Sequence, residues 1–361
     1  MSELKEFKCP ACGGTMEFDS KSQKMKCPYC DTELDVSQME QAAAEENPAQ
    51  NSQSGNDWQC TSEGEWSEND GMNVYICQSC GGEILADETT GASTCPYCGN
   101  RVVMKEKFSG DLKPDYIIPF KYDKKQAKEA YKKHLEKKQF LPKVFKDENH
   151  IDEIKGIYVP FWLYDMDANA DMEFKAERIR NWSDGDYEYT EINSYKCYRS
   201  GSISVDRLPC DGSEKMDDTL MESVEPFDFK DAVPFKSAYM AGYMADRYDV
   251  DMSRMRKRAE ERAGKTIEEN IRRNVAGYDT VIPQRSNVNI LNASYSYALY
   301  PVWILNTSWN GEKYTFAMNG QTGKMVGNLP VDKKAFWLNV ALRTGIFSAA
   351  VYAATALFML L

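Results

Sequence analysis

The chain lacks several features on which secreted proteins and many enzymes depend. It has only two histidines, His134 and His150, so few side chains are available for histidine-based catalysis. His134 lies in a lysine-rich segment, and we expect it at the surface. Residues 1–8 are polar and charged rather than apolar, so we expect no secretory signal peptide. A reducing cytosol would then keep thiols free to bind a metal.

Positive charge is also scarce. The chain has 44 Lys and Arg against 56 Asp and Glu, which gives a net charge of −12 at pH 7. Proteins bind DNA largely by neutralising its phosphates, so we do not expect nucleic acid as a partner. A local patch could still act, so a nucleic-acid-binding zinc ribbon of transcription or replication stays open as the alternative function. No Walker sequence is present, and the glycines of residues 319–324 predict a hairpin turn instead.

Cysteine, by contrast, is abundant and regularly spaced. Eight of the eleven cysteines form two matched sets, in each of which fourteen residues separate two C-x-x-C pairs: Cys9, Cys12, Cys27 and Cys30, then Cys77, Cys80, Cys95 and Cys98. Each C-x-x-C turn brings two thiolates onto one ion, and two turns complete the tetrahedron that zinc prefers. The spacing therefore predicts two zinc ribbons with one structural Zn²⁺ each. Disulfides and redox dithiols are the weaker alternatives.

The two sets resemble each other beyond their cysteines. Two glycines follow the first C-x-x-C of each set, and the second pair reads C-P-Y-C both times, which indicates an internal duplication. Four thiolates leave no open coordination position for water, so we expect structural zinc and no enzymatic activity. Cys60, Cys197 and Cys210 have no C-x-x-C partner; we expect free thiols there, and their role stays open.

The rest of the chain predicts an α+β multidomain protein with antiparallel strands. An aspartate begins each of two long helices, from Asp123 to about Gln139 and from Asp251 to about Asn274, and a short helix is expected around residues 239–244. Pro160 and Trp162 in one buried strand match Pro301 and Trp303 in another, so a divergent structural duplication is a hypothesis, with chance similarity as its alternative.

The end of the chain predicts a membrane anchor. Residues 344–361 contain no charge, and a helix of that length spans about 27 Å, close to the roughly 30 Å of bilayer hydrocarbon. Basic and aromatic residues that suit an interface flank the run: Lys333, Lys334, Trp337 and Arg343. We therefore expect a C-terminal transmembrane helix, contact with membrane lipid, and a cell-membrane location with the bulk of the chain on the cytoplasmic side. A buried core helix, or a paired or shallow insertion, is the alternative.

These observations divide the chain into five segments. They are zinc ribbon 1 over residues 1–36, a flexible linker over 37–57, zinc ribbon 2 over 58–105, an α+β domain over 106–330 with a helical insertion at about 236–276, and the membrane anchor over 331–361. Each ribbon alone is too small for a sufficient core, so a metal must supply much of its folding free energy.

The paired ribbons together with the segments at residues 158–164, 239–251, 299–305 and 318–330 resemble a family of bacterial zinc-ribbon membrane proteins common in Firmicutes. Its members are often labelled zinc-ribbon proteins of the transcription-factor-IIB type, or primosomal-helicase-like. They occur beside phage-shock-protein-A-like and flotillin-like (SPFH) membrane-stress proteins. The resemblance implies that the eight cysteines are zinc ligands, and that the protein is a non-enzymatic, membrane-anchored scaffold that recruits such partners. Oligomerisation stays open.

Overall fold

The computed structural model describes residues 7–41, 59–60, 64–67, 70–87, 94–136, 138 and 140–360. Most of the predicted linker, residues 42–57, lies outside the described residues. The described α-helices are α1 (Val36–Gln41), α2 (Lys124–Glu136), α3 (Glu148–Ile151), α4 (Asp218–Val224), α5 (Met252–Arg273) and α6 (Lys333–Leu360). Short 3-10 helices lie at Lys143–Lys146, Phe229–Asp231 and Ser237–Met240.

The strands fall into a small sheet and a large one. The small sheet has the order β1-β2-β3 and consists of β1 (Glu17–Asp19), β2 (Lys24–Lys26) and β3 (Glu33–Leu34). The large sheet has twelve strands: β4 (Gln59–Cys60), β5 (Met72–Cys77), β6 (Glu83–Asp87), β7 (Val102–Lys107), β8 (Tyr116–Ile117), β9 (Lys155–Asp184), β10 (Tyr187–Asp211), β11 (Val233–Pro234), β12 (Met244–Asp246), β13 (Thr280–Trp309), β14 (Glu312–Asn319) and β15 (Met325–Gly327). The predicted α+β class with antiparallel strands is therefore present.

The two long helices begin where the sequence predicts. The Asp123 carboxylate accepts a hydrogen bond from the backbone N–H of Gln126 at 2.7 Å, and the Asp251 carboxylate accepts one from Arg254 at 3.0 Å. Each bond satisfies a donor that a helix N-terminus leaves free. The short helix expected at residues 239–244 is present only as the 3-10 helix Ser237–Met240, because Met244 pairs with Ile157 and so begins β12.

Strands β9 and β13 form the centre of the large sheet, and both faces of that centre are covered. Residues 156–164 of β9 are a continuous apolar run. One face packs with Tyr131 of α2, and the other packs with Met221 of α4 and the second cysteine quartet. A strand that is covered on both sides has no need for polar residues at alternate positions, which is why this segment does not alternate.

Beyond the centre, β9, β10 and β13 continue as a three-stranded projection, which we call the arm (residues 165–184, 187–205 and 280–293). Here β9 alternates between buried and exposed side chains. Its buried side includes Ala168, Ala170 and Phe174, which pack against Ile267 and Ile271 of α5. The other face of the arm is open to solvent and mostly polar, with Ile192 and Tyr198 among its exposed apolar side chains. The helix therefore covers one face only.

The predicted transmembrane helix at the C-terminus is wrong. Among the described residues, no helix combines the length and the apolar composition that crossing a membrane requires. Helix α6 spans the predicted anchor, but its charges at Lys333, Lys334 and Arg343 restrict the uncharged part of the helix to residues 344–360, which is at the short end of the length that crossing a membrane needs. The expected membrane anchor and the cell-membrane location that depended on it are therefore not supported.

Candidate metal centres

Four tight turns that share one backbone geometry carry the eight predicted ligands. In the first turn of each quartet, the N–H after the second cysteine donates to the carbonyl of the first: Gly13 to Cys9 at 2.8 Å and Gly81 to Cys77 at 2.8 Å. Gly13 and Gly81 have φ of 73° and 71°, in the left-handed region that glycine adopts without strain. The glycine that the two sets share at this position therefore has a local cause in both of them.

A second glycine in each turn makes room for a tyrosine ring. A Cβ on Gly14 would lie 2.6 Å from the ring of Tyr29, and a Cβ on Gly82 would lie 3.1 Å from the ring of Tyr97. These tyrosines belong to the C-P-Y-C turn of the same quartet. The G-G and C-P-Y-C repeats seen in the sequence are thus two halves of one packing contact.

The turns bring each set of four sulfur atoms together. In the first quartet, Cys9 and Cys30 Sγ are 3.5 Å apart, as are Cys12 and Cys27 Sγ. In the second, the separations are 3.4 Å for Cys77 and Cys98 and 3.6 Å for Cys80 and Cys95. All four ligand atoms of each quartet lie within 4.8 Å of one another. A tetrahedral zinc with bonds of 2.3 Å would separate its sulfurs by roughly 3.8 Å, so both quartets fit such an ion.

Hydrogen bonds favour ionised sulfur at some cysteines of each quartet, namely Cys9 and Cys30 in the first and Cys98 in the second. Burial acts against ionisation of Cys9, but N–H groups of Cys12 and Ala11 outweigh it and lower the pKa of its thiol to about 6. In the same way, burial opposes ionisation of Cys98, whereas the N–H of Asn100 helps to lower its pKa to about 7. Thiolates are the form that binds metal, so Cys9 and Cys98 favour the binding form. The pKa of Cys12 is raised, because its hydrogen bonds to neighbouring thiols outweigh the N–H of Gly14, and burial raises the pKa of Cys95.

The first ribbon packs onto the rest of the molecule along one side. The N–H of Phe18 donates to Ala241 O at 3.1 Å, and Gln23 Nε2 donates to Phe120 O at 2.8 Å. A salt bridge of 2.5 Å joins Lys21 to Asp123 at the start of α2. The contacts fix the β1–β2 side of the ribbon and leave its cysteine turns uncovered.

The outer turns of the first ribbon consequently face solvent. Cys12 and Cys30 are exposed, whereas Cys9 and Cys27 are buried. Tyr29 is 78% exposed, although it packs on Gly14. The neighbouring residues Pro10, Ala11 and Pro28 are exposed as well. We call this surface the knuckle face (residues 10–12 and 28–30).

The second ribbon, in contrast, is built into the large sheet. Its strand β6 pairs with β12, and β12 pairs with β9. Tyr97, the counterpart of Tyr29, is only 5% exposed. Asn306 Nδ2 donates to Pro96 O at 2.6 Å, and Lys155 Nζ donates to Thr94 O at 3.0 Å. The second quartet therefore lies at a packed junction inside the fold.

A buried carboxyl lies behind the second quartet, and nothing in the amino-acid pattern predicts it. Asp246 is fully buried beside the side chains of Tyr97 and Ser213. Within the described part of the chain, Asp246 Oδ2 and the Tyr97 hydroxyl have no hydrogen-bond partner. Burial raises the pKa of Asp246 to about 7. No pattern in residues 244–246 distinguishes this aspartate from a surface one.

The other cysteines and the predicted anchor residues lie apart from the quartets. Cys197 is buried between the arm and α5, and Cys210 is buried with a pKa that burial raises to about 12, so its thiol stays neutral. The side chain of Cys60 lies outside the described residues. The four anchor residues lie in the N-terminal half of α6, and none of them belongs to a cysteine cluster: Lys333, Lys334, Trp337 and Arg343.

Comparison with known proteins finds a relative that matches nearly the whole chain. The chain is 30% identical over 335 residues to the uncharacterized protein YdjG of Bacillus subtilis (strain 168), a match that covers 92% of this chain and 93% of the relative. No family model matches the chain, and no solved structure matches it.

Proposed function

The chain belongs to the same family as the uncharacterized protein YdjG of Bacillus subtilis, and from this premise and the two cysteine quartets we propose that it is a non-enzymatic, zinc-binding scaffold that recruits other proteins. The observation that carries the proposal is that four thiols converge in each quartet. The second quartet has no exposed cysteine, whereas Cys12 and Cys30 of the first are exposed.

Zinc is the ion we propose for both sites. Soft thiolate ligands in a tetrahedral arrangement select zinc or iron–sulfur chemistry, and sulfur separations of 3.4–3.6 Å suit a single ion rather than a cluster. A four-thiolate site has no free position for water or substrate. This is why we propose a structural role and no catalysis.

The two zinc sites would have different roles. The second lies under Tyr97 and between strands of the large sheet. Its zinc would therefore stabilise the large sheet and the helices that pack on it, which we call the body of the protein. The first presents the knuckle face, whose Tyr29 ring is available to a partner. Tyrosine is enriched at protein interfaces, because it offers a large apolar area at a low cost in conformational entropy.

The resemblance to bacterial membrane-stress scaffolds suggests the kind of partner. We propose phage-shock-protein-A-like or flotillin-like proteins, which would bind the knuckle face. Direct contact with lipid stays an untested prediction, and the exposed Trp337 and Phe347 side chains of α6 make it worth measuring by liposome flotation.

Two measurements test the proposal. Elemental analysis of the purified full chain should find about two zinc ions per chain, and X-ray absorption should give zinc–sulfur distances of about 2.3 Å. A chain that is metal-free with oxidised cysteines would refute the zinc claim. For recruitment, Tyr29→Ala should reduce crosslinking to a purified phage-shock-protein-A-like or flotillin-like protein. Met104→Ala, an exposed apolar change on β7, is the matched control. Equal crosslinking by both variants would refute the role of the knuckle face.

A further inference from the structure

One edge of the arm is open to another strand. Strand β10 pairs with β9 on one side, and no described residue pairs with its other side. Its register with β9 is regular from Tyr187 to Val205, and the first irregularity falls between Val205 and Leu208. The outer edge therefore presents an orderly row of N–H and C=O groups, which is a template for adding a further strand.

The opposite edge of the arm is protected. In the arm, β13 contains Pro283, which has no N–H to donate, and its pairing with β9 is irregular at Pro283/Arg285 and at Ile290/Asn292. Prolines and bulges are the usual devices that prevent one sheet edge from pairing with another. The first proline of β10 is Pro209, beyond the regular part. The fold thus blocks one edge of the arm and leaves the other one regular.

We propose that the β10 edge binds the β10 edge of a second copy of this chain, antiparallel, about a twofold axis that passes beside Tyr195. Such an axis stands perpendicular to the sheet, so residues that are equally far from Tyr195 face each other on the same side. Residues 187–203 of both copies would pair, with about one backbone hydrogen bond per paired residue. The two arms would form one continuous six-stranded sheet.

The charges on β10 are complementary in this arrangement. Glu191 and Arg199 lie equally far from Tyr195, on opposite sides of it. Glu191 of each copy would therefore face Arg199 of the other copy, which gives two ion pairs. In the single chain, Glu191 accepts a hydrogen bond from Asn193 Nδ2 at 3.1 Å, and Arg199 Nη1 donates to Tyr198 O at 2.8 Å. Neither side chain forms an ion pair within the described part of the chain, so both are available to a second copy.

Apolar side chains match on the opposite face of the same pairing. Ile192 is 55% exposed and Tyr198 is 60% exposed, and the two would face each other twice across the axis. An aromatic ring opposite a β-branched side chain is a favourable cross-strand pair. The twofold arrangement therefore covers two exposed apolar residues in each copy.

Other symmetric registers fit less well. An axis at Lys196 would place two lysines opposite each other, and an axis at Glu191 would do the same with two glutamates, both of which are unfavourable. Axes at Asn193, Ser194 or Cys197 create no pair of opposite charges. An axis at Ile192 would pair Glu188 with Lys196, but it soon runs into the turn between β9 and β10 and joins fewer residues.

Analytical ultracentrifugation of the purified full chain tests the arrangement, over a range of concentrations at ~0.15 M salt, where surface charges are screened beyond about 8 Å. The natural sequence should be dimeric. Glu191→Arg and Arg199→Glu should each weaken the dimer by about tenfold or more, since each places like charges opposite each other. The double variant E191R/R199E restores opposite charges and should restore the dimer.

The control is Glu188→Arg, which makes the same charge change on the same strand but faces Ser202 of the second copy; it should leave the dimer nearly unchanged. Metal content and far-UV circular dichroism of each variant show whether it has folded. A natural chain that stays monomeric would overturn the proposal, and so would a double variant as weak as its parents. Metal content is measured separately, so a failed dimer would not be confused with a failed zinc site.

Discussion

Trp162 and Trp303 make the same hydrogen bond in two halves of the fold. Trp162 Nε1 donates to Val250 O at 2.9 Å, and Trp303 Nε1 donates to Tyr122 O at 2.9 Å. Each acceptor immediately precedes the aspartate that begins a long helix, namely Asp251 for α5 and Asp123 for α2. Each tryptophan thus connects its own strand to the helix that precedes the other strand.

The sheet around these residues has the matching symmetry. Strands β9 and β13 are antiparallel neighbours, and Val159 pairs with Tyr300, the residues that precede the matched prolines. Each strand pairs on its outer side with the strand that follows it, so the local order is β10-β9-β13-β14. This arrangement supports the hypothesis of an internal structural duplication. A twofold rotation about the Val159–Tyr300 pair would exchange β9 and β10 with β13 and β14.

The two tryptophans should contribute to stability in similar ways. Trp162→Phe and Trp303→Phe each keep a ring but remove the N–H, which leaves a carbonyl unpaired inside the protein. We expect each change to lower the free energy of unfolding by about 1–3 kcal/mol, measured by chemical denaturation. Trp182→Phe is the control, since Trp182 is 49% exposed on the arm and should change stability by less than about 0.5 kcal/mol. A large loss for one tryptophan and none for the other would contradict the symmetry.

The equivalent glycines should differ in their tolerance of a side chain. Gly82→Ala would push against Tyr97, which is buried and cannot move away, and we expect a loss of about 1–3 kcal/mol in unfolding free energy. Gly14→Ala makes the closer contact, but Tyr29 can rotate into solvent, so a loss of less than about 1 kcal/mol is expected. Urea denaturation measures the unfolding free energy of the two variants, and elemental analysis measures their zinc content. The reverse order would show that contact distance alone sets the cost.

Loss of a ligand should have different consequences in the two quartets. Cys77→Ser and Cys9→Ser should each remove one bound ion, measured by elemental analysis. Cys77 ends β5 of the large sheet, so its loss should destabilise the whole body by several kcal/mol. Cys9 belongs to the small cluster of the first ribbon, so the body should keep nearly its full melting temperature. Equal melting temperatures for the two variants would contradict the different roles proposed for the sites.

The buried Asp246 should make stability depend on pH. Burial raises its pKa from 3.8 to about 7 in the folded chain, so the folded state favours the neutral acid. Its contribution to stability is complete below about pH 4 and is lost as the pH rises through about 7. Asp246→Asn stays neutral throughout. The variant should therefore gain stability relative to the natural chain as the pH increases from 4 to 8, by an amount on the order of a few kcal/mol.

Thermal unfolding of both proteins at matched pH values measures this effect. The comparison at each pH cancels the pH dependence of metal binding, which both chains share. A constant difference between them from pH 4 to pH 8 would show that Asp246 is ionised at its ordinary pKa.

Much of the metal-site geometry was accessible from the sequence because it is local. A C-x-x-C turn with a following glycine sets the backbone within a few residues, and the fixed spacing between turns identifies the sets. The starts of α2 and α5 were predicted for the same reason, since an aspartate bonds to an N–H three residues further on. The predicted transmembrane helix failed because apolar composition near a chain end does not by itself specify a spanning segment. The basic residues of α6 lie within the same helix.

The amino-acid order alone thus determined the two sets of thiol ligands, the caps of the long helices and the apolar central strands, all of which depend on neighbours within a turn or two. Only the tertiary structure decided that Tyr97 is buried whereas Tyr29 is exposed, that Asp246 lies away from water, and that no strand among the described residues pairs with the outer edge of β10 in the arm. These properties arise from contacts between segments far apart in the chain. Two nearly identical cysteine motifs therefore acquire different environments, because different parts of the fold pack against them.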